Sequence, residues 1–177
     1  MVRRPTLFVI ARDGPGRLAT MACPRGGDWL DDELQGLRTE GVDVLVSALT
    51  NSELVELQLS AEPELARQAG LTYISFPIPD RGAPEEVAAV TDLVGQLGER
   101  LTGGEFIVVH CRAGIGRSSL IAAAVLVREG LSPEEAWERI SVARGLSVPD
   151  TEAQRAWMVA FAATVAPRNV SREGRSR

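Results

Sequence analysis

The sequence contains no lysine, so all 19 of its basic residues are arginine. That skew reads as the imprint of a GC-rich, bacterial coding sequence and carries little functional content. One histidine and two cysteines are too few for a disulfide framework or a histidine/cysteine zinc site, so no metal or other cofactor is called for. A net charge of −5 argues against generic nucleic-acid binding, which needs a basic footprint. No apolar stretch approaches the length of a membrane span, so no membrane association is expected. Met1-Val2-Arg3-Arg4 followed by Leu7-Phe8-Val9-Ile10 imitates a secretory leader, but its apolar run is too short. The expected location is a reduced cytoplasm.

What remains is an ordinary globular composition, 45% hydrophobic and 24% charged, in 177 residues. That length suits one domain with one sizeable core. Leu7–Ile10 reads as a short strand before the turn residues Asp13-Gly14-Pro15-Gly16. Asp28 is expected to cap a helix running to Glu40, with Leu30, Leu34 and Leu37 at helical spacing and Gly41 as the stop. Val42–Val46 has the look of a buried strand, and a helix starts at Asn51 or Ser52. A short helix is expected over Ser60–Gly70, then a strand over Leu71–Phe76 that runs into the loop Pro77-Ile78-Pro79-Asp80-Arg81-Gly82-Ala83-Pro84.

Val87, Val90, Val94, Leu97 and Leu101 form one stripe of a long amphipathic helix. Phe106–Val109 is a continuous apolar strand, and Ser119–Val127 is apolar almost all round, the mark of a buried helix. Ser132-Pro133-Glu134-Glu135 combines a cap, a proline and an acidic third residue, a strong helix start. A last helix is expected from about Thr151 to Ala163. Strands alternating with helices predict an α/β fold: one central, mostly parallel sheet of about four or five strands, flanked by helices. Residues 1–166 form one domain in this reading, and residues 167–177 an arginine-rich tail.

Between the apolar strand and the buried helix lies His110-Cys111-Arg112-Ala113-Gly114-Ile115-Gly116-Arg117-Ser118. A helix N-terminus entered from a buried strand is a natural anion site. Gly114 and Gly116 let the backbone turn so that the N–H groups of residues 112–117 converge on one concavity. Those N–H groups and the helix dipole favour a phosphate dianion and a thiolate alike. Arg117, six positions after Cys111, can curl back and donate two parallel hydrogen bonds to phosphate oxygens, a fork that lysine cannot reproduce. A helix N-terminus beside arginine favours the reactive thiolate of Cys111. Ser118 can donate its hydroxyl to that sulfur.

The segment His110–Ser118 resembles the His-Cys-x5-Arg-Ser signature of the cysteine-dependent protein tyrosine phosphatase superfamily at every defined position. Its Ala-Gly-Ile-Gly filling is also typical of the protein phosphatases there. The resemblance spans about Leu7 to Ala163, is highly specific only in this loop, and implies metal-free hydrolysis of phosphate monoesters through a phosphocysteine. It points to the small dual-specificity and kinase-associated phosphatase branch. The implied substrate is phosphotyrosine in proteins, with phosphoserine and phosphothreonine or a small nucleotide or inositol phosphoester as alternatives. A non-catalytic phosphate-binding module and a sulfurtransferase, which also uses a cysteine in an anion-binding loop, stay open too, and nothing in the sequence indicates an oligomeric state. A lysine-rich loop filling, as in lipid phosphatases, is absent, which makes inositol lipids a weaker expectation.

Cleavage also needs a proton for the departing oxygen. In the superfamily an aspartate some thirty residues before the cysteine supplies it, and Asp80 lies 31 positions upstream (111 − 80) in a similar loop. A plain turn aspartate is the bland alternative. Asp92 on a polar helix face and Asp150 as a cap are weaker rivals. His110 invites a Cys–His base reading, but neighbours on a strand point to opposite faces. The resemblance likewise implies that His110 braces the loop. Gln154 resembles the glutamine of a Thr-x-x-Gln segment before the last helix in relatives. It either faces the site and positions water, or lies at a solvent-facing helix start. Arg81 and Arg112 flank the motif residues, as greeters of acidic substrates or as plain surface charge. Cys23 sits in a glycine-rich stretch that the resemblance places near the rim, as a structural cysteine, a substrate contact or a redox partner of Cys111.

Overall fold

The computed structural model describes residues 3–165. Five strands form one sheet: β1 (Phe8–Val9), β2 (Arg17–Ala22), β3 (Val44–Ser47), β4 (Thr72–Ser75) and β5 (Phe106–Cys111). Among the described residues seven α-helices accompany it: α1 (Leu30–Thr39), α2 (Asn51–Glu56), α3 (Glu62–Gln68), α4 (Val87–Thr102), α5 (Arg117–Arg128), α6 (Pro133–Arg144) and α7 (Glu152–Thr164). The strand order is β1-β2-β5-β3-β4. Only the β1–β2 pair is antiparallel, so the sheet is mostly parallel, as expected.

β5 is the central strand, held by β2 through Ala22↔Cys111 and by β3 through Ser47↔His110. All six of its residues are buried, the pattern of a strand covered on both faces. Side chains alternate along it, so Ile107, Val109 and Cys111 join the core beneath α4, α5, α6 and α7. Phe106 and Val108 join the opposite core beneath α1 and α3. Cys111 and His110 therefore leave the same strand end on opposite sides of the sheet. The catalytic-type loop opens outside the carboxyl end of this central strand, where open parallel sheets place their ligand crevices.

The helices follow their sequence logic. Thr50 caps α2 and Ser132 caps α6, each with a reciprocal glutamate three residues on. Every residue of α5 from Arg117 to Val127 is buried, which accounts for its all-round apolar character. Three local expectations differ. β2 escaped notice because Arg17-Leu18-Ala19-Thr20-Met21-Ala22 has no alternation; it is buried by β1, β5 and α5 rather than by its own pattern. Asp28 caps nothing: it lies in a 3-10 turn over Gly27–Trp29, and α1 begins at Leu30 with no side-chain cap. Thr151, not Asp150, caps α7. The proposed tail at 167–177 lies outside the described residues. Among the described residues no helix is long and apolar enough to cross a membrane.

Candidate active site

Residues 112–116 link β5 to α5 and need their glycines for two different reasons. Gly114 has φ +69°, and a Cβ there would lie 2.7 Å from the Ala22 nitrogen of β2. It thus meets both the left-handed turn and the close approach. Gly116 has φ −94°, which any residue adopts, so the expectation that it supplies a special turn is corrected. A Cβ there would lie 2.7 Å from Asp150 Oδ2 and 2.9 Å from Gln154 Nε2, so a larger residue would have to displace those side chains, the second of them buried and hydrogen-bonded. From outside, Arg144 donates to the carbonyls of Gly114 (3.0 Å) and Ala113 (3.3 Å) and stacks over Phe8. Arg144 thereby ties the loop to α6.

Cys111 is 3% exposed, and its Sγ lies 3.3 Å from Ser118 Oγ on the first turn of α5. Arg117 is 2% exposed and is clamped in a fork: Nη1 donates to Glu53 Oε2 at 2.7 Å and Nη2 to Glu53 Oε1 at 2.8 Å. Nη1 also donates to the Ile78 carbonyl (2.9 Å) and Nη2 to Asp80 Oδ1 (3.1 Å). Burial works against the Arg117 charge, and the hydrogen bonds and charge of Glu53, together with the charges of Cys111 and Asp80, more than reverse it. In return, the Arg117 hydrogen bonds push the Glu53 carboxyl down to about 2 against the cost of burial, helped by Thr50.

Asp80 reaches this guanidinium from the β4–α4 loop, in a turn closed by the Gly82 N–H to the Pro79 carbonyl at 2.8 Å. Arg81 occupies the third position of that turn at φ +58°, a conformation costing roughly 1 kcal/mol or more for a residue with a side chain. Asp80 itself remains exposed, open to a ligand. Gln154 is fully buried, which rules out a solvent-facing role. Its Oε1 accepts from the Asp150 and Thr151 N–H groups, and its Nε2 donates 3.0 Å to the Gly82 carbonyl. It ties the start of α7 to the Asp80 turn, beside Gly116.

The structure brings Cys111, Ser118, Arg117 and Asp80 together, with Gln154 behind them. His110 turns to the other face: Nδ1 is 3.3 Å from the Cys111 carbonyl, and Nε2 is 2.8 Å from Glu62 Oε1. Arg112 points along the rim to Glu56 at 2.8 Å. Arg81 is exposed and makes no ion pair among the described residues. Cys23 follows β2, its N–H donating to the Arg112 carbonyl at 3.1 Å, so strand pairing sets it next to the loop. Burial, then Glu62 and Cys111, push its thiol up.

Sequence reasoning missed Glu53, Glu62, Tyr73 and Arg144. A signal for Glu53 existed in Thr50-Asn51-Ser52-Glu53, a capping box whose glutamate also reaches outward. Nothing local marks the other three.

The model of the family "Tc-R-P: Polymorphic toxin system, DSP-PTPase phosphatase" matches residues 19–131. Cyclin-dependent kinase inhibitor 3 of Sus scrofa is 28% identical over 150 residues, covering 84% of this chain and 70% of that protein. The crystal structure of kinase associated phosphatase with its catalytic-site cysteine substituted by serine superposes with a TM-score of 0.84 at 21% identity. That match covers 92% of this chain and 97% of the other. PTPMT1 in complex with PI(5)P superposes at 0.69 and 22% identity, over 86% and 93%. At these identities the two structural matches speak for the fold.

Proposed function

Because the chain belongs to the DSP-PTPase phosphatases of polymorphic toxin systems, within the cysteine-dependent protein tyrosine phosphatase superfamily, we propose that it hydrolyses phosphotyrosine in proteins. Phosphoserine and phosphothreonine are secondary substrates, and the reaction passes through a phosphocysteine on Cys111. Residues 1–166 act as one phosphatase domain in this reading. The observation that carries it is the Arg117 guanidinium, buried at the mouth of the loop and within 3.1 Å of Asp80. The absence of lysine from the loop filling favours protein substrates over inositol lipids.

Arg117 has five N–H groups, and four are committed: two to Glu53, one to Ile78 and one to Asp80. Nε–H remains. A phosphate held by two parallel N–H groups takes Nε–H and the Nη2 hydrogen now given to Asp80. Substrate binding thus detaches Asp80 from Arg117 and frees it for the leaving oxygen. The Cys111 thiolate attacks phosphorus in line, forming the P–S bond as the P–O ester bond breaks. Asp80 gives its proton to the departing oxygen, while Arg117 and the N–H groups of residues 112–117 hold the equatorial oxygens. Water then attacks phosphorus, Asp80 takes its proton, and the thiolate leaves with Ser118 donating to it. His110 braces the loop and Gln154 holds the Asp80 turn in place.

Initial rates on matched peptides bearing phosphotyrosine, phosphoserine or phosphothreonine, beside nucleotides and inositol phosphates, test the substrate class. The highest kcat/KM is expected on phosphotyrosine; a preference for the small molecules overturns the protein assignment. Asp80→Asn is expected to lower kcat about 10²–10⁴-fold with KM little changed. The deficit should be largest on alkyl phosphates, whose leaving group needs the proton most. Normal turnover of an alkyl phosphate by that variant would place the acid elsewhere.

A further inference from the structure

Behind the sheet from the catalytic-type loop, the bracing His110 meets two polar groups that the mechanism above does not use, Glu62 and Tyr73. Glu62 opens α3 and is completely buried, as is His110. Tyr73 of β4 donates its hydroxyl to Glu62 Oε2 at 3.1 Å. Glu62 Oε1 lies 2.8 Å from His110 Nε2. Neither of those two atoms has an aligned hydrogen-bond partner among the described residues, so the approach to each other is the polar contact each has. A carboxylate withdrawn from water at this depth costs several kcal/mol unless a positive group or hydrogen bonds offset it. No arginine reaches Glu62 within ion-pair distance among the described residues; the histidine ring does.

The protonation of the ring follows from what it faces. Nδ1 faces the Cys111 carbonyl, which is only an acceptor, so Nδ1 carries a hydrogen. Nε2 faces Glu62, whose other oxygen accepts from Tyr73, the arrangement that suits an ionised carboxylate. Burial, then Glu62, raise the Tyr73 phenol, so its hydrogen stays available for donation. Both ring nitrogens thus face oxygens, the Cys111 carbonyl at 3.3 Å and Glu62 Oε1 at 2.8 Å, an arrangement in which an imidazolium and a carboxylate would cancel each other's charge.

Building on the phosphatase reading, we propose that Glu62 is a positioning residue of the catalytic loop, holding His110 as an imidazolium whose Nδ1–H anchors the Cys111 carbonyl. A charged donor makes a hydrogen bond roughly twice as strong as a neutral one. The anchored carbonyl belongs to the peptide whose N–H, on Arg112, begins the phosphate cradle. Glu62 thereby sets the tilt of the first cradle amide from across the sheet, with Tyr73 holding its carboxylate in place. Glu62 touches neither substrate nor sulfur.

His110 is the only histidine in the chain, so histidine-selective ¹⁵N labelling reports this ring alone. At pH 7 the wild-type protein is expected to show hydrogen on both ring nitrogens, and Glu62→Gln to show it on Nδ1 only. Glu62→Gln should also lower kcat on an aryl phosphate roughly 10- to 100-fold, with KM within about 2-fold of wild type. Tyr73→Phe, which removes one hydroxyl and no charge, is expected to fall between the two in kcat. An unprotonated Nε2 in the wild-type protein overturns the proposal whether or not any variant folds. So does Glu62→Gln with an unchanged nitrogen spectrum, or with a raised KM and an unchanged kcat. The spectra need no turnover, so a protein inactive on every phosphoester would defeat the phosphatase reading and leave the assignment of the ring to be decided by the nitrogens.

Discussion

Replacing Cys111 with serine is expected to lower hydrolysis of an aryl phosphate by about 10⁴-fold or more while phosphopeptide binding persists. The substitution exchanges sulfur for oxygen in a side chain 3% exposed and within 3.3 Å of Ser118, so it removes little packing. The Arg117 clamp and the backbone cradle stay in place, since neither depends on the sulfur. What disappears is the nucleophile: the proposed reaction runs through a thiolate, and a serine hydroxyl is far too weak an acid to supply the matching anion. Steady-state rates and calorimetric Kd values on the same phosphotyrosine peptide separate the two effects. Undiminished turnover would end the phosphocysteine mechanism. Loss of binding together with turnover would make the sulfur a structural part of the cradle. A protein that binds phosphopeptide equally well in both forms, yet forms no phosphocysteine in the wild type, would be a phosphate-binding module.

The loop was legible in the sequence because its requirements are local. An anion cradle needs a strand end, a left-handed glycine and a helix start within ten residues, and Phe106–Ser118 supplies them in order. Asp80 was singled out through the resemblance, as the aspartate 31 positions before Cys111 in a similar loop, and it lies 3.1 Å from the Arg117 guanidinium. β2 was not legible. Its residues carry no alternation, since they lie in a sheet whose two faces are both covered, and its identity as a strand is decided by β1 and β5.

Glu53 and Glu62 show the same limit at the level of side chains. Each reads in sequence as an acid in the first turn of a short helix, the position where acids are common on exposed surfaces. Each is buried with a partner far along the chain rather than by the pattern of its own helix. Glu53 meets an arginine 64 residues away, and Glu62 meets a histidine 48 residues away (110 − 62). Gln154 was half legible: the Thr151-x-x-Gln154 capping box predicts a bond back to its own helix start, which is present. The bond forward to Gly82 depends on the Asp80 turn lying beside α7.

Removing the Glu53 carboxylate is the second substitution with a large expected effect. Glu53→Ala leaves the guanidinium of Arg117, 2% exposed, without the partner of two of its four hydrogen bonds. Breaking one side of a buried pair in this way costs about 3–5 kcal/mol of stability, because the remaining charge is left uncompensated. Activity should fall further than the folded fraction does, by roughly 10²-fold in kcat, since the two nitrogens that orient the phosphate fork are no longer held. Exchanging both partners, Glu53→Leu with Arg117→Met, should restore much of the stability and none of the activity. The pH dependence follows from the carboxyl, lowered from 4.5 to about 2 in the folded protein. A depressed folded-state value means that the unfolded chain binds the proton more readily. The stabilisation is therefore complete above about pH 4.5 and is lost as pH falls toward 2. Urea unfolding at pH 7 and at steps from 5 to 2 should show this loss in the wild type and a shallower one in Glu53→Ala. Equal slopes in that window would mean that Glu53 and Arg117 are not paired in solution, and the orientation assigned to the phosphate-binding arginine would fall with them.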